Sequence, residues 1–295
     1  MKKYLILLIS AGIIAAFGVR AFSGQEMLQI KGSDTLINLV QRMAEVYMEK
    51  NPGKLIAITG GGSGTGIAAL INKKCDIANS SRLMKAKEMS MAAGKNVKPK
   101  RVVLAIDAIS VIVNTDNGVN KFTKDELGKI FRGEIKNWKE LGGKDIPITL
   151  YGRQSNSGTF VFFRGFILKG DYSSKMRRMN GNAQIVSAIG KDVSAIGYVG
   201  VGYVKNLKGG KISVAKVASR QGAQYASPLS LEDVKSGKYP ISRPLNQYVN
   251  GNPKGIVKDF IEFELSEEGQ KLVENEGFFM IPDEYKKFNK KSVGI

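Results

Sequence analysis

Apolar positions along the chain fall into short runs, separated by stretches where they recur every three or four residues. Leu28-Gln29-Ile30 is a short run that leads into the polar turn Lys31-Gly32-Ser33-Asp34-Thr35. Leu36, Leu39, Val40, Met43, Val46 and Tyr47 then repeat at helical spacing toward Lys50, and Asn51-Pro52-Gly53 stops that helix. Leu55 to Thr59 predicts a second strand, followed by the glycine-rich turn Gly60 to Gly66 and a helix from Ile67. Asp76-Ile77-Ala78 predicts a third, buried strand ending in Asn79-Ser80-Ser81-Arg82. Short strands alternating with amphipathic helices predict an α/β fold.

The remaining pattern predicts a second body. Val102 to Ile106 and Ile109 to Val113 are extended and nearly continuous, which suits strands carrying the chain from one lobe into another. Thr123-Lys124-Asp125-Glu126 is a capping box opening a short helix through Leu127, Ile130 and Phe131. Ile148 to Tyr151 predicts a strand that feeds Gly152 to Thr159, and Phe160, Phe163, Phe166 and Ile167 mark the helix beyond it. Ile196 to Val199 is a later strand of the same lobe, Arg243 to Val249 is extended again, and one helix from Pro253 to Asn275 closes the chain. Two lobes follow, one from residues 24–107 with 245–295 and the other from 108–244. The two crossing strands between them can serve as a hinge.

The first residues change the picture of where the chain works. Lys2 and Lys3 precede an apolar run from Tyr4 to Val19, and Ala21-Phe22-Ser23 has the small-x-small form of a cleavage site. That order is the pattern of a secretory signal peptide over residues 1–23. The run is shorter than the ~20 residues that cross a bilayer. The single cysteine, Cys75, lies far from the cleavage site, so no N-terminal lipid attachment and no intrachain disulfide are expected. A periplasmic protein free of any lipid anchor fits best. The mature chain of roughly 270 residues is more than one compact core usually takes, which again favours two lobes.

Charge and composition exclude more than they assign. The net charge of +19 falls to +16 once Lys2, Lys3 and Arg20 are removed. Such a balance suits anionic partners, but the lysines are scattered and no basic stripe is interleaved with aromatics, so nucleic acid is not expected. Histidine is absent. Ser-His-acid and Cys-His catalysis and histidine metal sites are therefore ruled out. A secreted phosphatase also lacks an obvious carboxylate cluster for metal, and no cofactor is expected.

Candidate chemistry sits in the turns. Gly32 to Thr35, Gly60 to Gly66 and Arg153 to Thr159 each combine glycine with serine or threonine immediately before a helix, and Ser81-Arg82 makes a fourth polar turn. Helix N-termini present unpaired N–H groups and a partial positive charge, and hydroxyls add donors without adding charge. Strand ends in α/β sheets converge on one crevice, so four such turns predict an oxyanion site. Gly60 to Gly66 lacks the Gly-Lys-Ser/Thr ending of a nucleotide P-loop. Arg153 supplies a permanently charged fork that grips two oxygens, four residues before Ser157-Gly158-Thr159.

At these residues the chain resembles the substrate-binding proteins of phosphate ABC transporters. Arg153-Gln154-Ser155-Asn156-Ser157-Gly158-Thr159 is similar to the R-x-x-x-S-G-T turn of that family. Ile130-Phe131-Arg132-Gly133, Ala195-Ile196-Gly197-Tyr198-Val199 and Ser266-Glu267-Glu268-Gly269-Gln270 support it. The resemblance implies a type II periplasmic binding fold, two α/β lobes joined by a two-strand hinge with the ligand shut between them. It also implies a monomer that binds inorganic phosphate and hands it to membrane permease subunits. By position, the phosphate-binding residues would be Thr35 through hydroxyl and backbone, Leu36 through its N–H, Ser63, Ser81, Arg153, Ser157, Gly158 and Thr159. Longer family members place an aspartate after the third strand to accept the phosphate proton and reject sulfate. Ser81 stands there in this chain, and Ser81, Asp34 and Asp107 are each candidates for the acceptor. Sulfate or arsenate is the alternative ligand.

Overall fold

The computed structural model describes residues 27–207 and 209–295; the expected signal segment lies outside the described residues. The first stretch runs β1 (Met27–Gly32), α1 (Ile37–Lys50), β2 (Leu55–Thr59), α2 (Ser63–Ile71), β3 (Ile77–Ser80), α3 (Ala86–Gly94) and β4 (Pro99–Ala108). Helix α1 forms where the apolar spacing places it. Leu39, Val40, Met43, Ala44, Val46 and Tyr47 are its buried face, and the N–H of Asn51 closes its last turn on the carbonyls of Tyr47 and Met48. Each fully buried large apolar side chain on such a face stabilises by roughly 1.5–3 kcal/mol.

The chain then continues through β5 (Ser110–Asn114), β6 (Lys121–Thr123), α4 (Lys124–Arg132), β7 (Thr149–Arg153), α5 (Gly158–Phe163), β8 (Arg177–Met179), α6 (Asn182–Lys191), β9 (Ala195–Val199), β10 (Ile212–Val214), β11 (Lys216–Ala218) and α7 (Leu231–Lys235). It returns by β12 (Ser242–Asn250) and ends in α8 (Gly255–Leu265), α9 (Glu267–Asn275) and α10 (Asp283–Val293). The predicted capping box is present: the Thr123 hydroxyl accepts the Glu126 N–H, and the Glu126 carboxylate accepts the Thr123 N–H.

Two mixed five-stranded sheets result. The first has the order β2-β1-β3-β12-β4, with β1 parallel to β2 and β3, and β12 antiparallel to β3 and β4. The second has the order β10-β5-β9-β7-β8. β4 and β5, separated by Ile109 alone, belong to different sheets, as their near continuity predicts. Beside this crossing runs the return: the Ile109 N–H donates to the Ile241 carbonyl at 2.9 Å, and the buried Tyr239 hydroxyl donates to the Ile109 carbonyl at 2.5 Å. The hinge is therefore two adjacent, hydrogen-bonded strands.

Two expectations need correction. The single closing helix from Pro253 to Asn275 is broken at Ser266, whose backbone is extended at φ −65° and ψ 167°. Its hydroxyl donates to the Phe263 carbonyl and accepts the Gly269 N–H, ending α8 and capping α9. Helix α2 begins at Ser63 rather than Ile67, because Gly62, at φ +90°, turns the chain and the small residues after it are already helical. Helices α3, α6, α7 and α10 add elements that the apolar pattern does not predict. Each buries few apolar side chains, only Ala92 in α3 and only Val293 in α10.

Where β12 meets α8, Glu264 is fully buried and Gln247 donates to its Oε1 at 2.9 Å. Burial pushes its pKa from the ordinary 4.5 up to about 8. The folded chain thus holds a proton that the unfolded chain releases, so this group makes stability fall as pH rises between those two values. Glu264→Gln should remove that part of the slope, raising the melting midpoint at about pH 8 and leaving it almost unchanged near pH 5. Melts at both pH values check this, and a slope kept unchanged in the variant would refute it.

Candidate ligand-binding cleft

The first sheet delivers three turns to one end. Gly32 ends β1 at φ +136°, and a Cβ there would lie 2.2 Å from the Asn79 carbonyl oxygen, so only glycine lets β1 and β3 converge here. Thr35 follows, buried, with its hydroxyl toward Thr159 of the opposite wall. Ser63 opens α2, and its hydroxyl accepts the Ser81 N–H at 3.0 Å, which joins the second and fourth polar turns. The Ser63 and Ser81 hydroxyl oxygens lie 3.2 Å apart.

The second sheet supplies the opposite wall. Ser157 caps α5 by accepting the Phe160 N–H, and Gly158 and Thr159 form its buried first turn. The two walls meet closely. The Thr35 and Thr159 hydroxyls are 3.0 Å apart, and the Gly64 N–H donates to the Asn156 carbonyl at 2.9 Å. A Cβ on Gly158 would stand 2.3 Å from Ser63 Oγ and 2.6 Å from Ser81 Oγ. Thr35, Ser63, Ser81, Gly158 and Thr159 therefore line one crevice. Ser157 borders it through the same turn.

Arg153 ends β7 and is 2% exposed. One guanidinium nitrogen, Nη2, donates to Asp34 Oδ2 and to the Asn180 carbonyl. Its Nε and Nη1 are buried and have no hydrogen-bond partner among the described residues. Leaving buried donors unsatisfied costs about 1–3 kcal/mol each, more for a charged group. Behind this strand, Tyr198 stacks on Phe163 at a centroid distance of 4.2 Å and bonds the Tyr172 hydroxyl at 2.8 Å, and burial pushes its own hydroxyl up to about 12. That aromatic block supports both β7 and α5.

Other expected residues behave differently. Leu36 is buried in the core, and its N–H donates to the Ser33 carbonyl at 3.1 Å inside the turn. Arg82 forks onto the Glu88 carboxylate, at 2.7 and 2.6 Å, rather than joining the crevice. Both candidate carboxylates are engaged. Asp34 accepts from the Gly61 N–H and from Arg153. Asp107, 0% exposed, accepts from the Val201 N–H and from Arg243. Arg243 has no signal in the sequence pattern, since it merely opens a predicted strand and belongs to none of the four polar turns. It is 3% exposed and also donates to Thr159 Oγ1 at 2.9 Å and to the Ser81 carbonyl at 2.8 Å.

Two α/β lobes, a paired two-strand hinge and a crevice of hydroxyls at strand ends define the class of two-lobed periplasmic binding proteins. Residues 21–268 match the model of the PBP superfamily domain. A curated relative from Bacillus subtilis, a phosphate-binding protein PstS, is 34% identical over 260 residues, covering 87% of this chain and 81% of the relative. One from Pseudomonas aeruginosa with the same name is 31% identical, covering 85% and 82%. A solved structure from Clostridium perfringens, described as a phosphate ABC transporter substrate-binding protein with bound phosphate, superposes with a TM-score of 0.77 at 30% identity, covering 87% of this chain and all of that one. The chain belongs to the PBP superfamily and, within it, to the PstS family of phosphate-binding proteins, and its fold is the type II periplasmic binding fold.

The contact at Gly158 gives a geometric test. Gly158→Ala is expected to wedge Ser63 and Ser81 away from α5 and hold the lobes apart, while each lobe stays folded. Small-angle scattering should show a larger radius of gyration than wild type at saturating phosphate. Equal radii would mean that the two walls do not meet as described.

Proposed function

We propose that the cleft binds inorganic phosphate and that the chain delivers it to the membrane permease of an ABC importer. One observation carries this reading: the buried Arg153 guanidinium of the second lobe bonds Asp34, in the turn that precedes Thr35 in the first, and keeps two donors without partners among the described residues. An anion with several oxygens satisfies those donors together and is itself desolvated at acceptable cost only by such a dense set. The names of the relatives and the phosphate in the Clostridium perfringens structure support the choice of anion. On this reading Thr35, Ser63, Ser81, Ser157 and Thr159 give hydroxyl contacts, Gly158 gives a backbone N–H group and Arg153 gives charge, while the Leu36 N–H stays with the Ser33 carbonyl.

The bodies that close on the anion are residues 24–107 with 245–295 and residues 108–244, except that Ser242, Arg243 and Pro244 pair with β4 and move with the first sheet. The protein works as a monomer outside the cytoplasmic membrane, without a lipid anchor, after removal of residues 1–23. It binds without turnover, a reading supported by the absence of histidine and by the binding-protein names of its relatives. Lobe closure creates the surface that the permease recognises.

Among the three candidate proton acceptors, Ser81 fits best. Each Asp34 and Asp107 oxygen already accepts a hydrogen bond, two of them from arginines. Ser81 Oγ faces Ser63 Oγ and Gly158, and when it donates to Ser63 Oγ its lone pairs are left to accept from a protonated anion. A site with one such acceptor penalises a fully deprotonated anion.

Two titrations test these assignments. Arg153→Ala should weaken phosphate binding at least about a hundredfold, the scale of losing one partner of a buried charged contact, with an unchanged circular dichroism spectrum. Near-normal affinity by calorimetry would reject the site. Ser81→Ala should lower phosphate affinity about tenfold or more, the worth of one hydrogen bond to a charged group, and leave sulfate affinity nearly unchanged. An unaltered ratio of phosphate to sulfate affinity would remove Ser81 as the acceptor.

A further inference from the structure

We infer that the buried Asp107–Arg243 pair is a closure latch, a positioning pair that ties the hinge end of the first sheet to the far wall of the cleft and sets how long the anion is held. The inference rests on the reading that the lobes close around an anion. Asp107 and Arg243 are register partners across β4 and β12, each within two residues of the hinge crossing at Ile109 and Ile241. Arg243 donates through Nε and Nη2 to Asp107 Oδ2, at 3.1 and 2.9 Å. Its Nη1 donates to the Ser81 carbonyl. These bonds stay within the first lobe.

Two further bonds leave it. Asp107 Oδ1 accepts the Val201 N–H at 2.9 Å, and Arg243 Nη2 donates to Thr159 Oγ1 at 2.9 Å. Val201 and Thr159 belong to the second lobe, so separating the lobes breaks both bonds and leaves the others intact. Each has a charged partner and lies where water is excluded, which makes it one of the stronger kinds of hydrogen bond. Glycine makes the approach possible: a Cβ on Gly200 would stand 2.7 Å from Thr35 Cγ2 and 3.2 Å from Asp107 Oδ1.

The pair also orients the anion's neighbours. Arg243 occupies a lone pair of Thr159 Oγ1 and so directs that hydroxyl's proton away from itself, and it fixes the Ser81 backbone from behind. Both arginines have a carboxylate partner, but every guanidinium nitrogen of Arg243 is bonded, whereas Arg153 beside Asp34 keeps Nε and Nη1 without partners among the described residues. The Phe162 ring, 5.3 Å from the Arg243 guanidinium carbon, covers its outer side. The latch therefore acts through position and closure, whereas Arg153 acts through charge.

Asp107→Asn in the mature chain tests this by stopped-flow release of phosphate and by competition titrations with sulfate. The release rate should rise about tenfold, one hydrogen bond to a charged group, with the association rate nearly unchanged and the phosphate-to-sulfate ratio preserved. A purely structural pair would lower the melting midpoint and leave release from folded molecules as in wild type, and that result overturns the latch. A collapse of the phosphate-to-sulfate ratio overturns it too, since Asp107 would then be the proton acceptor. If the single variant does not fold, Asp107→Asn with Arg243→Gln, which keeps the charge balance, decides by the same release rate. Wild type that binds no phosphate would instead contradict the reading of the cleft.

Discussion

The structure turns on a permanently charged guanidinium buried between two lobes. Among the described residues, Arg153 is partnered through one nitrogen alone, to Asp34 and the Asn180 carbonyl. Burying charge without partners is costly, so the rest of the cleft must supply what the guanidinium needs or leave room for something that does. Strand β7 and the aromatic block of Phe163, Tyr172 and Tyr198 fix where it sits. The polar turns of both sheets fix what surrounds it.

Hydroxyls and glycines are the means by which two sheets meet there. A crevice lined with lysines would carry more charge than one anion can balance, whereas serine and threonine donate without charge and also accept. Glycine brings backbones within reach of one another, as Gly32 does at Asn79 and Gly158 does at Ser63 and Ser81. The hinge completes the design. β4 and β12 pair along their length, and the Asp107–Arg243 pair sits at the point where that pairing gives way to the second lobe.

The parts of this arrangement that are local in sequence were legible there. The glycine and hydroxyl turns, the R-x-x-x-S-G-T segment and the strands that lead into them depend on neighbours a few residues away, and Thr35, Ser63, Ser81, Gly158 and Thr159 do come together. Arg243 was not legible, because its partners Asp107, Ser81 and Thr159 lie 136, 162 and 84 residues away. An arginine inside an extended run has no pattern that marks it as buried. Leu36 shows the converse: its position suits a donor, yet the turn itself takes up its N–H. The break at Ser266 and the start of α2 at Ser63 were hidden for a simpler reason, since caps made by small polar residues leave the apolar period undisturbed.

A crystal structure of the mature protein with phosphate tests the central claim most directly. The anion should lie between the lobes, with its oxygens within hydrogen-bond distance of Arg153 Nε and Nη1 and of the Thr35, Ser63, Ser81 and Thr159 hydroxyls. Phosphate bound elsewhere, or bound in the cleft with those two arginine nitrogens turned away from it, would contradict the account.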